Sequence, residues 1–281
     1  MKFRPLLKIL LWLFVGYLLL VGLMTIFQNQ LIFHPSSRMV DTPERTGMPW
    51  SEHWVQTSDN VRIHGWLLGE PENQSVVVYS HGNAGNISGR ISIAADIARQ
   101  GAAVFFYDYR GYGHSEGSPS EQGIYRDGEA VVNYLKEQLG VDEKQMIFYG
   151  RSLGGAVAAR QSAEFNGSGL VLDSSFLSGK EIASDIYPFI PGFLITIRFP
   201  VDEDLRRSNA DQIMIMSAKN DRIINPRHSK KLYEIATAKG KKVRMVELEG
   251  GHNDSFIVSR DLYSESWKNY LEDLNRMVND H

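Results

Sequence analysis

Cysteine is absent from all 281 residues. That removes disulfides, zinc–thiolate sites, iron–sulfur clusters and a thiol nucleophile together. It also removes membrane attachment through an acylated thiol. Neither sign of charge is in large excess: 30 Lys and Arg stand against 33 Asp and Glu, a formal charge of −3. A dedicated nucleic-acid binder needs a basic stripe to neutralise phosphates, so nucleic acid is not an expected partner. No internal repeat or low-complexity run is present. What remains is 43% hydrophobic, 22% charged and 11% aromatic, a globular balance. A chain of this length can bury a large core.

The mean hydropathy of −0.25 reads as soluble. It averages over one long apolar run. Residues Ile9–Phe27 (ILLWLFVGYLLLVGLMTIF) carry no charge. As a helix at 1.5 Å rise per residue they span about 28 Å, close to the ~30 Å hydrocarbon core of a bilayer. A secretory signal peptide has a shorter apolar stretch and a small-x-small cleavage site. Here Gln28-Asn29-Gln30 follows instead. A buried core helix would need apolar contacts on every face. The segment therefore reads as an uncleaved signal anchor, although Tyr17 sits deep for an interfacial residue. Lys2, Arg4 and Lys8 precede it, and no basic residue follows until Arg38. The positive-inside rule then expects a cytoplasmic N-terminus and a domain on the non-cytoplasmic side, periplasmic in a bacterium.

Residues 34–50 are rich in Pro, Ser and Thr. The expected organisation is an anchor over 1–35, a linker over 36–50 and one domain over 51–281. Within that domain strands and helices alternate. His53–Thr57 and Val61–Leu68 read as a hairpin around Ser58-Asp59-Asn60. Ser75–Ser80, Ala103–Tyr107, Gln145–Tyr149, Leu170–Leu172, Ile213–Ser217 and Lys242–Leu248 read as buried strands. Helices are expected at Ile87–Arg99, Gln122–Leu139, Gly154–Phe165, Arg227–Ala238 and Leu262–Val278. This order implies an α/β fold, with a mainly parallel eight-stranded sheet covered by helices on both faces. In such sheets the site lies at the carboxyl ends of the strands.

At one such end the chain reads Gly150-Arg151-Ser152-Leu153-Gly154-Gly155, a G-x-S-x-G turn between strand and helix. Its serine projects above the sheet, and its flanking glycines remove Cβ atoms that would clash. Arg151 reads as a structural or rim residue. An activated serine needs a base, and the base needs an orienting acid, here in the order Ser, acid, His. Three histidines follow Ser152. His281 is terminal, and His228 lies early in a helix, where a solvated position is expected. His252 follows the last strand in a Gly-rich loop and is the expected base. Asp221 follows the preceding strand and is the expected acid, with Asp173 as its rival. Asp254 reads as a helix cap. An oxyanion needs two backbone N–H donors. Leu153 supplies one, and Asn83 in His81-Gly82-Asn83-Ala84-Gly85-Asn86 the other. His81, Asp108 and Arg110 read as loop braces.

Together with Asp108-Tyr109-Arg110-Gly111-Tyr112-Gly113, these motifs resemble the α/β-hydrolase superfamily over about residues 50–280. More narrowly the chain is similar to its membrane-anchored, prolyl-oligopeptidase-like branch, which includes protein depalmitoylases. The resemblance implies an α/β-hydrolase fold and an acyl-enzyme mechanism without cofactor or metal. It also implies Ser152, Asp221 and His252 as triad and Asn83 and Leu153 as oxyanion hole. One departure matters. Those depalmitoylases attach through lipidated cysteines, and this chain has none.

The short insert at 177–210 occupies the usual place of a cap. Residues 186–200 (IYPFIPGFLITIRFP) are largely apolar. Ile186, Tyr187, Phe189 and Phe193 are the expected pocket residues. The expected function is hydrolysis of an acyl ester or thioester at a membrane. A small peptidase or aminoacyl hydrolase is the alternative enzyme, and a non-catalytic tethered binding module the alternative of another class. Ser152 at the elbow excludes a dehalogenase or epoxide hydrolase, which needs a carboxylate there.

Overall fold

Five central strands are buried at every position. That is why they read as short apolar runs and not as alternations. The computed structural model describes residues 3–72 and 74–279. Lys2 and His281 lie outside them. In chain order the strands are β1 (His34–Pro35), β2 (Trp50–Gln56), β3 (Arg62–Leu68), β4 (Val76–Ser80), β5 (Ala84–Gly85), β6 (Ala103–Tyr107), β7 (Met146–Arg151), β8 (Gly169–Asp173), β9 (Gln212–Ala218) and β10 (Lys242–Leu248). The helices are α1 (Phe3–Ile26), α2 (Gln28–Ile32), α3 (Ile91–Ala98), α4 (Glu121–Leu139), α5 (Gly154–Glu164), α6 (Gly179–Ile186), α7 (Val201–Arg207), α8 (Arg227–Ala238), α9 (Ser255–Val258) and α10 (Arg260–Asn279).

Eight strands form one sheet in the order β10-β9-β8-β7-β4-β6-β3-β2. All pairings are parallel except β2–β3 and β3–β6. The expected eight-stranded, mainly parallel sheet with a starting hairpin is therefore observed. Side chains alternate between two cores, as the period of a strand requires. Val76 and Val78 belong to the same core as Val131 of α4, Ala156 of α5 and Leu232 of α8. Val77 and Tyr79 pack on the opposite face with Ile97 of α3 and Trp267 of α10. The reading at Ile87–Arg99 resolves into a 3-10 turn, Ile87–Arg90, followed by α3.

Residues 36–50, expected as a linker, lie strapped to the domain. β1 pairs with β5 beside the Asn83 loop. Asn86 Nδ2 donates to the carbonyls of Ser36 and Arg38, each at 2.9 Å. Polar composition marked this segment as loop, but its backbone partners come from distant positions that local sequence does not reveal.

α1 contains a 22-residue stretch, Pro5–Ile26, long and apolar enough to cross a membrane, with mean hydropathy 2.5. Most of its surface is exposed. One side of its C-terminal half is covered: Tyr17, Val21, Met24 and Thr25 face the cap, at spacings that share one side of a helix. Tyr17 Oη donates to the Phe189 carbonyl at 2.9 Å. Gln28 Nε2 donates to the Leu194 carbonyl at 2.9 Å, and its Oε1 accepts from Thr196 N at 2.9 Å.

Candidate active site

Ser152 follows β7 at a backbone φ of +54°, in the left-handed region that side chains other than glycine seldom occupy. Its N–H donates to the Asp173 carbonyl at 2.9 Å, which ties the turn to the neighbouring strand. A Cβ on Gly154 would overlap the Ser80 carbonyl oxygen, and one on Gly150 would overlap the Gly154 backbone. The expected need for glycines at these two positions is thus met by specific backbone neighbours.

His252 and Asp221 sit in the loops after β10 and β9. His252 Nδ1 lies 2.7 Å from Asp221 Oδ2. The other carboxylate oxygen of Asp221 accepts from Ile223 N and Ile224 N, each at 2.8 Å. A carboxylate only accepts, so Nδ1 of the imidazole carries the hydrogen and Nε2 is the free basic nitrogen. Among the described residues, Nε2 makes no hydrogen bond. Both side chains are nearly buried, at 9% and 2% exposure.

Asp173 does something else. It is fully buried, accepts from Tyr149 Oη and Ser174 Oγ at 3.0 Å each, and lies 3.4 Å from Arg151 Nε. Arg151 is buried too. Its guanidinium donates to the His252 carbonyl and lies 5.1 Å from the centre of the Phe256 ring. It braces the histidine loop from beneath. Asp254 stands at the N-cap of α9, but its side chain accepts from Gly251 N at 2.6 Å and not from the helix. It holds the same loop.

His228 corrects an expectation. It is fully buried, not solvated. Its Nδ1 accepts from Leu177 N at 3.3 Å and its Nε2 pairs with Asp185 Oδ2 at 2.9 Å. These contacts hold the cap to α8, and Arg227 also pairs with Asp185. Burial works to raise the Asp185 carboxyl, but the hydrogen bonds from His228 and Arg227 outweigh it and keep the group below its ordinary value. His81 and Asp108 are buried 3.4 Å apart, and Asp108 accepts from Ile87 N at 2.9 Å. Arg110 pairs with Asp59 and Asp127. All three brace loops.

Asn83, Ser152 and Leu153 line one cavity of about 180 Å³. Among the described residues, the amide hydrogens of Asn83 and Leu153 have no protein acceptor. The Asn83 backbone is held by its carbonyl, which accepts from His34 N at 2.9 Å and Tyr112 Oη at 2.8 Å. The walls are apolar and include Ile182, Ile190, Ile197 and Ile224. Ile186 and Tyr187 belong to them as expected. Phe189 and Phe193 do not: they face outward, Phe193 at 84% exposure. The cap helix and its Pro-rich turn direct some apolar residues in and others out with no fixed period, which composition alone does not reveal. Met24, Thr25, Gln28, Leu31 and Ile32 also line the cavity. Sequence reasoning missed them, because they read as anchor and not as site.

Away from the cavity, Glu52, His64 and His114 bring one ligand atom each within 4.8 Å of one another. His64 Nε2 pairs with Glu52 Oε1 at 2.8 Å, so that nitrogen is already engaged.

Residues 71–200 match the family described as "Serine aminopeptidase, S33". An uncharacterized membrane protein of Saccharomyces cerevisiae is 33% identical over 255 residues, covering 87% of this chain and 89% of that one. The α/β-hydrolase domain-containing protein WAV2 of Arabidopsis thaliana is 31% identical over 280 residues, covering 91% and 90%. The chain belongs to the α/β-hydrolase superfamily. As a fold, this α/β-hydrolase is similar to the esterase Pf2001 of Pyrococcus furiosus, with a TM-score of 0.72 at 18% identity, covering 85% of this chain and 98% of that one.

Proposed function

We propose that this α/β-hydrolase is a membrane-anchored serine hydrolase that cleaves carboxylic esters or thioesters through an acyl-enzyme. The observation that carries the proposal is the Asp221–His252 pair, held at 2.7 Å above the same strand ends as the strained Ser152. In this mechanism His252 Nε2 takes the Ser152 proton as Oγ attacks the acyl carbonyl. Asp221 orients the ring and stabilises its charged form. The amides of Asn83 and Leu153 hold the oxyanion, an arrangement worth about 3–4 kcal/mol per donor in related chemistry. The protonated imidazole then gives its proton to the departing alcohol or thiol. Water, activated by the same nitrogen, releases the acid.

The family description favours a second reading, an aminopeptidase. Recognition of a free α-amino group calls for a carboxylate in the pocket. None of the residues lining the cavity is acidic, which supports an acyl group as the occupant. Turnover of p-nitrophenyl esters set against aminoacyl anilides separates the two readings. Ser152→Ala should abolish both ester hydrolysis and labelling by a fluorophosphonate probe. Undiminished labelling of that variant removes Ser152 from the mechanism.

The anchor is α1, uncleaved, with Arg4 and Lys8 on the cytoplasmic side and the catalytic domain on the other. The yeast relative is described as a membrane protein, which agrees with anchoring.

A further inference from the structure

If α1 crosses a bilayer, the cap cannot stay in water. Tyr17 lies nine positions before Ile26, the end of the apolar helix, so about 14 Å deeper along its axis. Yet the Tyr17 hydroxyl donates to the carbonyl of Phe189 in the cap. From Tyr17 onward, one side of the helix is occupied by the protein itself. The free part, residues 5–16, is only about 18 Å long, short of the ~30 Å core. The cap must therefore enter the hydrocarbon alongside the helix.

The cap is built for that solvent. Residues 186–197 carry no charge and are bounded by Asp185 and Arg198. Phe189 and Phe193 are exposed although strongly apolar. Backbone polar groups in lipid need internal partners. Here Pro188 and Pro191 have no N–H to satisfy. Tyr17 and Gln28 supply donors to the carbonyls of Phe189 and Leu194, and Gln28 accepts from Thr196 N. The cavity above Ser152 lies between this cap and the end of α1 with the following α2, with Met24 and Thr25 of α1 and Leu31 of α2 on one wall and Ile186, Ile190 and Leu194 on the other.

We propose that residues 186–197 are immersed in the bilayer leaflet beside α1, and that the cavity takes the acyl chain of a membrane-lipid ester laterally, between cap and helix. The substrate half of this proposal rests on the ester-hydrolase reading above. The immersion half does not. In this arrangement the membrane helix is a wall of the acyl site as well as an anchor, and the scissile carbonyl meets Ser152 without the chain crossing water.

The absence of cysteine makes the test direct. F193C can be labelled at one position with an environment-sensitive fluorophore in the full-length protein, reconstituted in phosphatidylcholine vesicles that contain chain-nitroxide lipid. K239C, at the exposed C-terminal end of α8 and so at the opposite edge of the sheet from the site, is the control. Immersion predicts several-fold stronger quenching at position 193. Equal quenching at the two positions overturns it. In parallel, Thr25→Trp should lower the ratio of hydrolysis of a vesicle-borne p-nitrophenyl palmitate to that of p-nitrophenyl acetate about tenfold. An unchanged ratio overturns the chain route along the helix. Strong quenching at 193 in a protein that turns over no ester overturns the hydrolase reading and keeps the immersion.

Discussion

Ser152→Gly should leave a protein more stable than Ser152→Ala, although both lack the hydroxyl. The reason is the backbone and not the chemistry. Ser152 is held at φ +54°. An L-residue at such a strained position costs on the order of 1–3 kcal/mol, and alanine retains that cost. Glycine avoids it but loses about 0.5–1 kcal/mol more backbone entropy on folding. Residue 152 borders the cavity and the group removed is a single carbon, so little packing is forfeited. The balance favours glycine by about 1 kcal/mol. In a domain of this size that is a rise of about 2–4 °C in Tm. Thermal unfolding followed by near-UV circular dichroism, in one detergent for both variants, reads the difference. A midpoint for the glycine variant equal to or below that of alanine would refute the reasoning: the elbow would then store no strain.

Two further outcomes follow from the supports of the site. Arg151→Met leaves Asp173 buried without its cation, a change that costs about 3–5 kcal/mol, and frees the His252 loop. Urea unfolding should shift accordingly, and kcat should fall by more than KM rises. Asp185→Asn should weaken cap docking at pH 7 by about 1–2 kcal/mol, on the order of one charge-assisted hydrogen bond. The native carboxyl titrates below its unfolded value, so its contribution is present above pH ~4 and lost as pH falls through the native value. Melting curves of wild type and variant should therefore converge below about pH 4 and separate above it.

Most of the strand–helix order was legible because buried parallel strands are continuous apolar runs. Ser152, Asp221 and His252 were legible as candidates because each follows a strand end in a turn with its own signature. The structure brings Asp221 and His252 into contact and seats Ser152 at the strained turn. Their catalytic role is the proposal that the Ser152→Ala experiment tests. His228 was misread, because a histidine early in an amphipathic helix gives no local sign of the cap that buries it. Phe189 and Phe193 were misplaced for a related reason: an apolar loop around two prolines has no period from which inward and outward positions can be read.

The amino-acid sequence by itself determined the strands, the elbow and the presence of one apolar helix, since each depends on residues close together in the chain. Only the tertiary structure decided that the strap at 34–50 braces the Asn83 loop, that Arg151 carries the histidine loop, and that the apolar helix walls the cavity. Those contacts join residues 50 to more than 160 positions apart. No local periodicity encodes such pairs. They form because a hydroxyl, an amide or a guanidinium removed from water must find its partner wherever the fold has placed one.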